Sequence, residues 1–313
     1  MGAQSPYAIG VDLGGTFIKA ALVTSAGKID IQDRRPTEAE SGAEGVAARV
    51  SEQVNGLMAR KGLAPGDLAG VGIGVPGVTT ADGMVILAPN LNWHHVPFKR
   101  LLSERLGLRV ELDNDANVAA LAEARVGAGG GCDTFVLFTL GTGIGGGIIL
   151  NGRVHHGASY AAGEVGHVCV MPDGPLCGCG KKGCLEAITA GPAMVRHVRD
   201  GLAKGQVSSL SGVDDLTPEA ICKAADAGDA LALETIAHVA FYLGIAIADI
   251  IVLLSPNVVA IGGGISAAGD VLLNPIIEAT KAESLEGMFE HTKIVPATLG
   301  NDAGSLGAAF LVL

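Results

Sequence analysis

The stretch YAIGVDLGGTFIKAALV, residues Tyr7–Val23, places an apolar strand, a Gly/Thr turn and a second apolar strand in direct succession. The same pattern returns in TFVLFTLGTGIGGGIIL, residues Thr134–Leu150, where Gly141 aligns with Gly14. Such segments are typical of β-hairpins, and successive backbone N–H groups at glycine turns can bind phosphate oxygens. The repeat predicts two similar lobes that face each other across a cleft. Because any two glycine-rich hairpins look alike, this prediction needs support from the rest of the chain.

The other segments of the chain alternate between helix and strand patterns. Apolar residues at helical spacing predict a helix over Ser41–Gly62, and the apolar run Leu68–Val75 predicts a buried strand. The remaining predicted elements follow in chain order: a strand at Arg109–Leu112, helices at about 116–126, 191–202, 218–227 and 230–254, and a strand at Asn257–Gly263 that turns through Gly262–Gly264 into another helix. This alternation predicts an α/β fold.

Composition narrows the class of protein. With 21 basic and 32 acidic residues the net charge is −11, which argues against a partner that is nucleic acid or an anionic membrane. The most apolar stretch, Ile236–Leu254, contains His238 and Asp249, so we interpret it as a buried helix rather than a membrane span. Residues 1–6 are too short for a secretory signal, and clustered cysteines are typical of metal binding in a reducing compartment. We therefore expect a soluble cytoplasmic protein.

A carboxylate and a glycine turn follow the first strand directly. Asp12 stands at the end of that strand, and it could hold Mg²⁺, a hard cation that prefers oxygen ligands. A plain hairpin turn would look the same, but the chain contains further turns of this kind. The candidate phosphate-binding turns are Gly14, Gly15 and Thr16, then Gly141, Thr142 and Gly143, and finally Gly262, Gly263 and Gly264. Together they favour a nucleotide site, although no G-x-x-x-x-G-K-[ST] motif is present.

Asn114 and Asp115, in the run DNDAN, fall between a predicted strand and a predicted helix. A carboxylate at a helix N-terminus is stabilised as the anion, which suits a general base that accepts the proton of an attacking hydroxyl group. Asn114 could orient that substrate. The same residue types are also the preferred helix N-caps, and on this motif alone the capping interpretation is the stronger one.

The run GHVCVMPDGPLCGCGKKGCLE, Gly166–Glu186, combines an imidazole with closely spaced thiols. The candidate metal ligands are His167, Cys177, Cys179 and Cys184. One nitrogen and three sulfur ligands suit a closed tetrahedral zinc site, and because no position is left open we predict a structural metal. A redox site would be expected to have C-x-x-C spacing, which this run lacks.

A fixed zinc loop would also hold the acidic residues around it. Glu186 follows the last cysteine by two residues, and the second ring nitrogen of His167 stays available for hydrogen bonding. With Glu164 of GEVGH, these side chains could accept hydrogen bonds from sugar hydroxyl groups. We therefore predict a polar binding pocket that the metal loop holds in shape.

These residues together resemble the ROK family of bacterial sugar kinases and sugar-responsive repressors. The family signature runs G-H, nine residues, then C-x-C-G-x-x-G-C-x-E, and Gly166–Glu186 matches it throughout. The resemblance covers nearly the whole chain, from DLGGT through NDANVAALAE, GTGIGGG and AAGEVGH to GNDAGSLGAA. It implies a two-lobed actin-like ATPase (ribonuclease-H-like) fold with a duplicated β-hairpin core and a cleft between the lobes.

The resemblance implies transfer of the ATP γ-phosphoryl group to a hexose hydroxyl, usually O6, with Mg²⁺. Asp115 would be the general base, and the turns at 12–16 and 141–143 would bind the phosphates, with Gly262 and Gly263 near the adenosine. The residues implied as sugar ligands are Gly77, Asn90, Asn114, Asp115, Glu164, His167 and Glu186. The family commonly forms homodimers.

The resemblance also implies a domain division and leaves the substrate open. We expect an N-terminal lobe of residues 1–113 joined by a C-terminal helix at about 303–313, and a larger lobe of residues 114–302 that contains the zinc loop 167–184. Glucose is the favoured acceptor, with N-acetylglucosamine or N-acetylmannosamine as alternatives. A sugar-sensing repressor would be expected to carry a DNA-binding helix-turn-helix segment and a basic surface, which this sequence does not display.

Overall fold

The computed structural model describes residues 7–313, and the short segment that we considered as a leader lies outside them. Within this range the strands are β1 (Tyr7–Leu13), β2 (Phe17–Thr24), β3 (Ile29–Pro36), β4 (Leu68–Val75), β5 (Val78–Thr79), β6 (Val85–Ala88), β7 (Trp93–Val96), β8 (Val110–Asn114), β9 (Thr134–Leu140), β10 (Ile144–Leu150), β11 (Arg153–Val154), β12 (Val258–Gly262) and β13 (Lys293–Pro296). The helices are α1 (Gly42–Lys61), α2 (Phe98–Leu106), α3 (Asp115–Val126), α4 (Leu185–Thr189), α5 (Gly191–Ala203), α6 (Pro218–Asp226), α7 (Ala230–Leu254), α8 (Asp270–Glu283) and α9 (Ala303–Phe310).

The described strands form three sheets, with orders β3-β2-β1-β4-β8, β11-β10-β9-β12-β13 and β5-β6-β7. In the first sheet β1 pairs antiparallel with β2 and parallel with β4, and β4 pairs parallel with β8. In the second sheet β12 lies between two parallel partners, β9 and β13. Each predicted hairpin is present as two neighbouring strands, and the predicted α/β class is confirmed.

The chain divides into two compact units, and the division differs from the predicted one. The first unit runs to Gly131, resumes over Gly147–Gly163 and includes Leu299–Leu313, while the second holds the stretches 132–146 and 164–298. The predicted boundary at residue 114 would have separated α3 from this first unit. It fails because α3 and α9 touch through their backbones: a Cβ at Gly307 would overlap the Val118 carbonyl oxygen.

In the first unit, glycines allow α9 to lie directly on the sheet. A Cβ at Gly10 of β1 would overlap the Ser305 carbonyl oxygen, and one at Gly72 of β4 would overlap that of Ala308. The C-terminal helix therefore packs on the N-terminal sheet, as the resemblance implies. On the other side of the core, α1 buries Val46, Val50 and Val54, which recur at four-residue spacing and so share one helix face.

In the second unit the most apolar helix is largely packed inside the protein. Helix α7 is long and apolar enough to cross a membrane by length and composition, but 56% of its most apolar window is buried inside the protein. Gly244 lies against α8, where a Cβ would come within 2.6 Å of the Ala279 Cβ. A core helix passes the same length and hydropathy test, so α7 is weak evidence for a membrane span.

Several elements escaped prediction because their sequences lack a clear period. Strand β3, IDIQDRRP, carries charged residues on a half-exposed edge, where a strand needs little apolar surface. The short strands β5–β7 and the helix α2 were likewise not predicted. By contrast, the helix predicted after the turn at Gly262–Gly264 is present as α8, although its interior contains Pro275, which normally argues against a helix.

The contact between α9 and β4 makes Gly72 a sensitive position. We expect Gly72→Ala to lower the free energy of unfolding by about 1–3 kcal/mol or more, because the new methyl group must displace the Ala308 backbone. Trp93, the sole tryptophan and buried in the same unit, allows urea unfolding to be followed by fluorescence. The matched control is Gly66→Ala, since nothing lies within 4 Å of a Cβ there. Equal midpoints for the two variants would contradict the close-packing argument.

Candidate functional site

The first glycine turn, between β1 and β2, is held by hydrogen bonds to the buried residue Thr37. The Gly14 N–H donates to the Phe17 carbonyl at 3.0 Å, which closes the turn. The Thr37 hydroxyl donates to the Gly14 carbonyl at 2.6 Å, and the Thr37 N–H donates to the Thr16 carbonyl at 2.9 Å. Thr37 is fully buried, and sequence reasoning missed it because it follows β3, which was itself not predicted.

Asp12 lies directly beside this turn in a confined position. Its carboxylate is 3.7 Å from the Lys19 ammonium group, and a Cβ at Gly304 would come within 2.7 Å of its Cγ. Burial raises the pKa of Asp12, and the charge of Lys19 opposes that rise. A carboxylate whose charge is only partly compensated, next to a phosphate-sized turn, has the chemistry that a Mg²⁺ site requires.

The junction of β8 and α3 presents Asn114 and Asp115 together. Strand β8 continues to Asn114, two residues beyond the predicted end, and α3 begins at Asp115. The Asn114 side-chain oxygen accepts the N–H groups of Ala116 and Asn117 at 2.8 and 3.2 Å, which is an N-cap. The capping interpretation is therefore confirmed for Asn114, while half-buried Asp115 occupies the first helical turn.

Gly77 and Asn90, the other two sugar-ligand candidates of the first unit, lie near Asn114 and the first glycine turn, respectively. The Asn114 side-chain N–H donates to the Gly77 carbonyl at 3.0 Å, so the cap also fixes the loop after β4. Gly77 has φ 135°, which disfavours a side chain, and a Cβ there would overlap the Leu87 carbonyl. Exposed Asn90 approaches the first glycine turn, since a Cβ at Gly15 would be 2.8 Å from the Asn90 carbonyl oxygen.

In the second unit, the second glycine turn contacts Glu186, one of the predicted site residues. The turn closes through the Gly141 N–H, which donates to the Gly143 carbonyl at 3.0 Å. The Ile144 N–H donates to the Glu186 carboxylate at 3.0 Å, and a Cβ at Gly143 would be 2.5 Å from the same oxygen. The N–H of Gly191, the first residue of α5, donates to the Gly141 carbonyl at 2.9 Å.

The third glycine turn packs against the end of β9. Gly263 has φ 84°, and a Cβ there would overlap the Leu140 backbone. Gly262 ends β12 and pairs in parallel register with Thr139 of β9. Because Leu140 directly precedes Gly141, the second and third turns are brought together at one edge of this sheet.

The predicted metal ligands form one cluster in the second unit. The ligand atoms of His167, Cys177, Cys179 and Cys184 all lie within 4.8 Å of one another. The Cys179 and Cys184 sulfurs are 3.6 Å apart, and the Cys177 sulfur is 3.7 Å from the His167 Nδ1. A tetrahedral zinc ion with ordinary bond lengths needs ligand separations of about 3.6–3.8 Å. The donor set and these separations fit zinc.

Burial and backbone hydrogen bonding shift the pKa values of the cluster thiols in opposite directions. Burial raises the pKa of Cys177, and it raises that of Cys184 to about 12. The backbone N–H of Lys181 lowers the pKa of exposed Cys179. Because zinc binds thiolates, the buried sulfurs would lose their protons when a cation supplies the compensating charge.

The acidic candidates Glu186 and Glu164 each contact a residue of the His/Cys cluster. The Cys177 sulfur is 3.7 Å from the second Glu186 carboxylate oxygen, so Glu186 links the cysteine loop to the second glycine turn. Glu164 and His167 share one short turn, in which the His167 N–H donates to the Glu164 carbonyl at 3.0 Å. Glu164 is exposed, and with Nδ1 of His167 directed at the cysteines, its Nε2 is the nitrogen left for a ligand.

The family model described as "ROK family" matches residues 8–313. A glucokinase of Halalkalibacterium halodurans is 41% identical, over 97% of this chain and 94% of its own length. A glucokinase of Thermotoga maritima is 39% identical, over 97% of this chain and 96% of its own length.

Among solved structures, a ROK family glucokinase from Streptomyces griseus in complex with glucose and AMPPNP superposes with a TM-score of 0.79. It is 37% identical, and the match covers 97% of this chain and 98% of that one. A family model that spans nearly every residue, with relatives this similar over nearly their whole length, settles the family assignment. The chain belongs to the ROK family.

Proposed function

We propose that this protein is a hexokinase-type phosphotransferase that transfers the γ-phosphoryl group of ATP to O6 of glucose. The observation that carries the proposal is the junction of β8 and α3, where Asp115 stands at the start of a helix beside Asn114. The first glycine turn and Asp12 belong to the same unit. The glucokinases of this family, one of them bound to glucose and AMPPNP, support glucose as the acceptor.

In this proposal the residues at the β8–α3 junction activate the 6-hydroxyl group of the sugar. Asp115 accepts the proton of the glucose 6-hydroxyl group as that oxygen attacks the γ-phosphorus, and the bond from this phosphorus to the β,γ-bridging oxygen breaks to release ADP. The positive end of the α3 dipole favours the carboxylate form that a base needs. The Asp115 carboxylate also accepts the Ala116 N–H at 2.9 Å, which restrains its rotation. General bases of this kind contribute about 10²–10⁴-fold to the rate.

The remaining candidate residues form two groups, one proposed to contact the sugar and one proposed to bind the nucleotide. The residues proposed to contact the hexose are Asn114, Gly77, Asn90, Glu164, His167 and Glu186. The phosphates would be bound by Gly14, Gly15, Thr16, Gly141, Thr142 and Gly143, and the adenosine would lie near Gly262 and Gly263. Mg²⁺ held near Asp12 would neutralise phosphate charge. Because phosphoryl transfer depends mainly on positioning and charge neutralisation, a single protein base suffices.

Zinc is proposed to act only as a structural ion. Held by His167 and the three cysteines of the cluster, it would fix Cys184 and with it Glu186, which follows Cys184 by two residues. His167 would then serve both the metal, through Nδ1, and the sugar, through Nε2. No chemical step requires the ion itself, since all four of its positions would be filled by protein ligands.

We further propose that the enzyme works in the cytoplasm as a homodimer, without nucleic acid or membrane partners. The net charge of −11 argues against nucleic acid and anionic membranes as partners, and the reduced cysteines that zinc binding needs support the cytoplasm.

The first test of the function is an ADP-release assay with Mg-ATP. The sugar panel comprises glucose, mannose, fructose, N-acetylglucosamine and N-acetylmannosamine. We expect the highest kcat/KM with glucose. Preference for an N-acetylhexosamine would overturn glucose as the acceptor and keep the kinase mechanism. No turnover with any sugar, together with glucose binding in calorimetry, would instead indicate a non-catalytic sugar sensor.

The role of Asp115 can be tested with Asp115→Asn. We expect kcat to fall by about 10²–10⁴-fold, because the amide cannot accept the hydroxyl proton. Glucose affinity measured by calorimetry should stay close to that of the wild type. The control is Asp133→Asn, an exposed position in the other unit. Near-normal turnover of Asp115→Asn would refute the general-base assignment.

The zinc site can be tested with Cys179→Ser. We expect the variant to lose most of its bound zinc in mass-spectrometric metal analysis, because a hydroxyl is a far weaker zinc ligand than a thiolate. Glucose binding should weaken with it, since Glu186 would lose its rigid support. Cys169→Ser is the matched control, as Cys169 is exposed and outside the cluster. If zinc is lost but glucose affinity is unchanged, the proposed support of Glu186 is wrong.

A further inference from the structure

A buried carboxylate lies directly behind the proposed catalytic pair. Asp113 precedes Asn114 in β8, and only 1% of it is exposed to solvent. An ionised carboxylate in such a place is costly unless its oxygens are hydrogen-bonded. The proposed mechanism gives no role to Asp113 or to His156, so we looked for the role of this buried acid in the groups that it holds.

The two oxygens of Asp113 have separate partners. Oδ1 accepts the Asn114 backbone N–H at 2.7 Å and the Asn117 side-chain N–H at 3.0 Å, so it joins the end of β8 to the first turn of α3. Oδ2 accepts the Nε2–H of His156 at 2.6 Å. Because a carboxylate is rigid and planar, any rotation that gives Oδ2 a new partner also moves Oδ1 away from the β8–α3 junction.

His156 is itself held in place by its own loop. Its ring stacks on that of Tyr160, with centroids 3.9 Å apart and an interplanar angle of 7°. Tyr160 has φ 61°, a left-handed conformation that is unfavourable for an aromatic residue. The loop therefore adopts a strained backbone while it places the two rings together, which fixes the direction of the His156 Nε2–H.

We propose that His156, acting through Asp113, is a positioning residue for Asn114 and Asp115. The inference rests on the proposed function, because its consequence for catalysis requires Asp115 to be the base. His156 does not touch the reacting atoms. It holds Oδ2 so that Oδ1 stays on the Asn114 N–H, and Asn114 in turn caps α3 and binds the Gly77 carbonyl.

Loss of the His156 donor would leave Oδ2 buried without its hydrogen bond. A buried acceptor in that state costs free energy until the group rotates or water enters. Either response loosens the hydrogen bond from the Asn114 N–H to Oδ1. Displacements near 1 Å at such a site can reduce a rate by about 10²-fold.

The test compares two substitutions of similar size and shape. His156→Gln keeps an amide donor close to the position of Nε2, whereas His156→Met removes the donor. The neighbouring His155→Met is the matched control, because the His155 side chain is exposed and its backbone N–H still donates to the Ile148 carbonyl. Should His156→Met fail to fold, His156→Asn replaces it, since its shorter side chain withdraws the amide from Asp113.

In steady-state kinetics with glucose and Mg-ATP, we expect His156→Met to lower kcat/KM for glucose by about 10–10²-fold with KM for ATP unchanged. His156→Gln should recover most of this loss, and His155→Met should behave as the wild type. Equal loss in the Gln and Met variants, or wild-type kinetics in His156→Met, would overturn the proposal.

Amide hydrogen exchange supplies a readout that does not depend on activity. We expect peptides covering residues 113–117 to exchange faster in His156→Met than in His156→Gln, because the Asn114 N–H loses its fixed acceptor. Equal exchange in the two variants would overturn the positioning role. If the wild-type protein has no kinase activity, the proposed function fails, and the exchange comparison still decides whether His156 positions this junction.

Discussion

The cap of α3 by Asn114 is the interaction on which the first unit's site depends. One side chain uses its oxygen to accept two N–H groups of the helix and its amide nitrogen to hold the Gly77 carbonyl. The strand, the helix and the loop after β4 are thereby fixed to one another at a single residue. Asp115 takes its position from this junction, because it is the residue that directly follows the cap.

In the second unit, Glu186 has a comparable role. One carboxylate oxygen accepts the N–H that follows the second glycine turn, and the other lies beside the Cys177 sulfur. The turn and the cysteine loop are thus linked through a residue at the start of α4. This arrangement gives a physical reason for a carboxylate at the end of the loop of predicted metal ligands.

Glycine has two separate uses in this chain. At Gly77 and Gly263 the backbone adopts φ values that disfavour a side chain, and both positions are next to proposed ligand-binding features. At Gly10, Gly72 and Gly307 the glycine instead allows backbones to touch, which brings α9 onto the first sheet and onto α3. Both uses look identical in the sequence, and only the local backbone geometry distinguishes them.

Sequence reasoning correctly predicted the elements with strong periodicity, among them α1, β4 and α7, and it named the one histidine and three cysteines that the structure brings into one cluster, because residue type and spacing are local properties. The tertiary structure alone decided the unit boundary, since the packing of α9 against α3 joins residues far apart in the chain. It also decided the partners of buried polar groups. No local sequence signal marks the hydrogen bond from Thr37 to the first glycine turn or the one from His156 to Asp113. A hydrogen bond between distant segments depends on where folding places them.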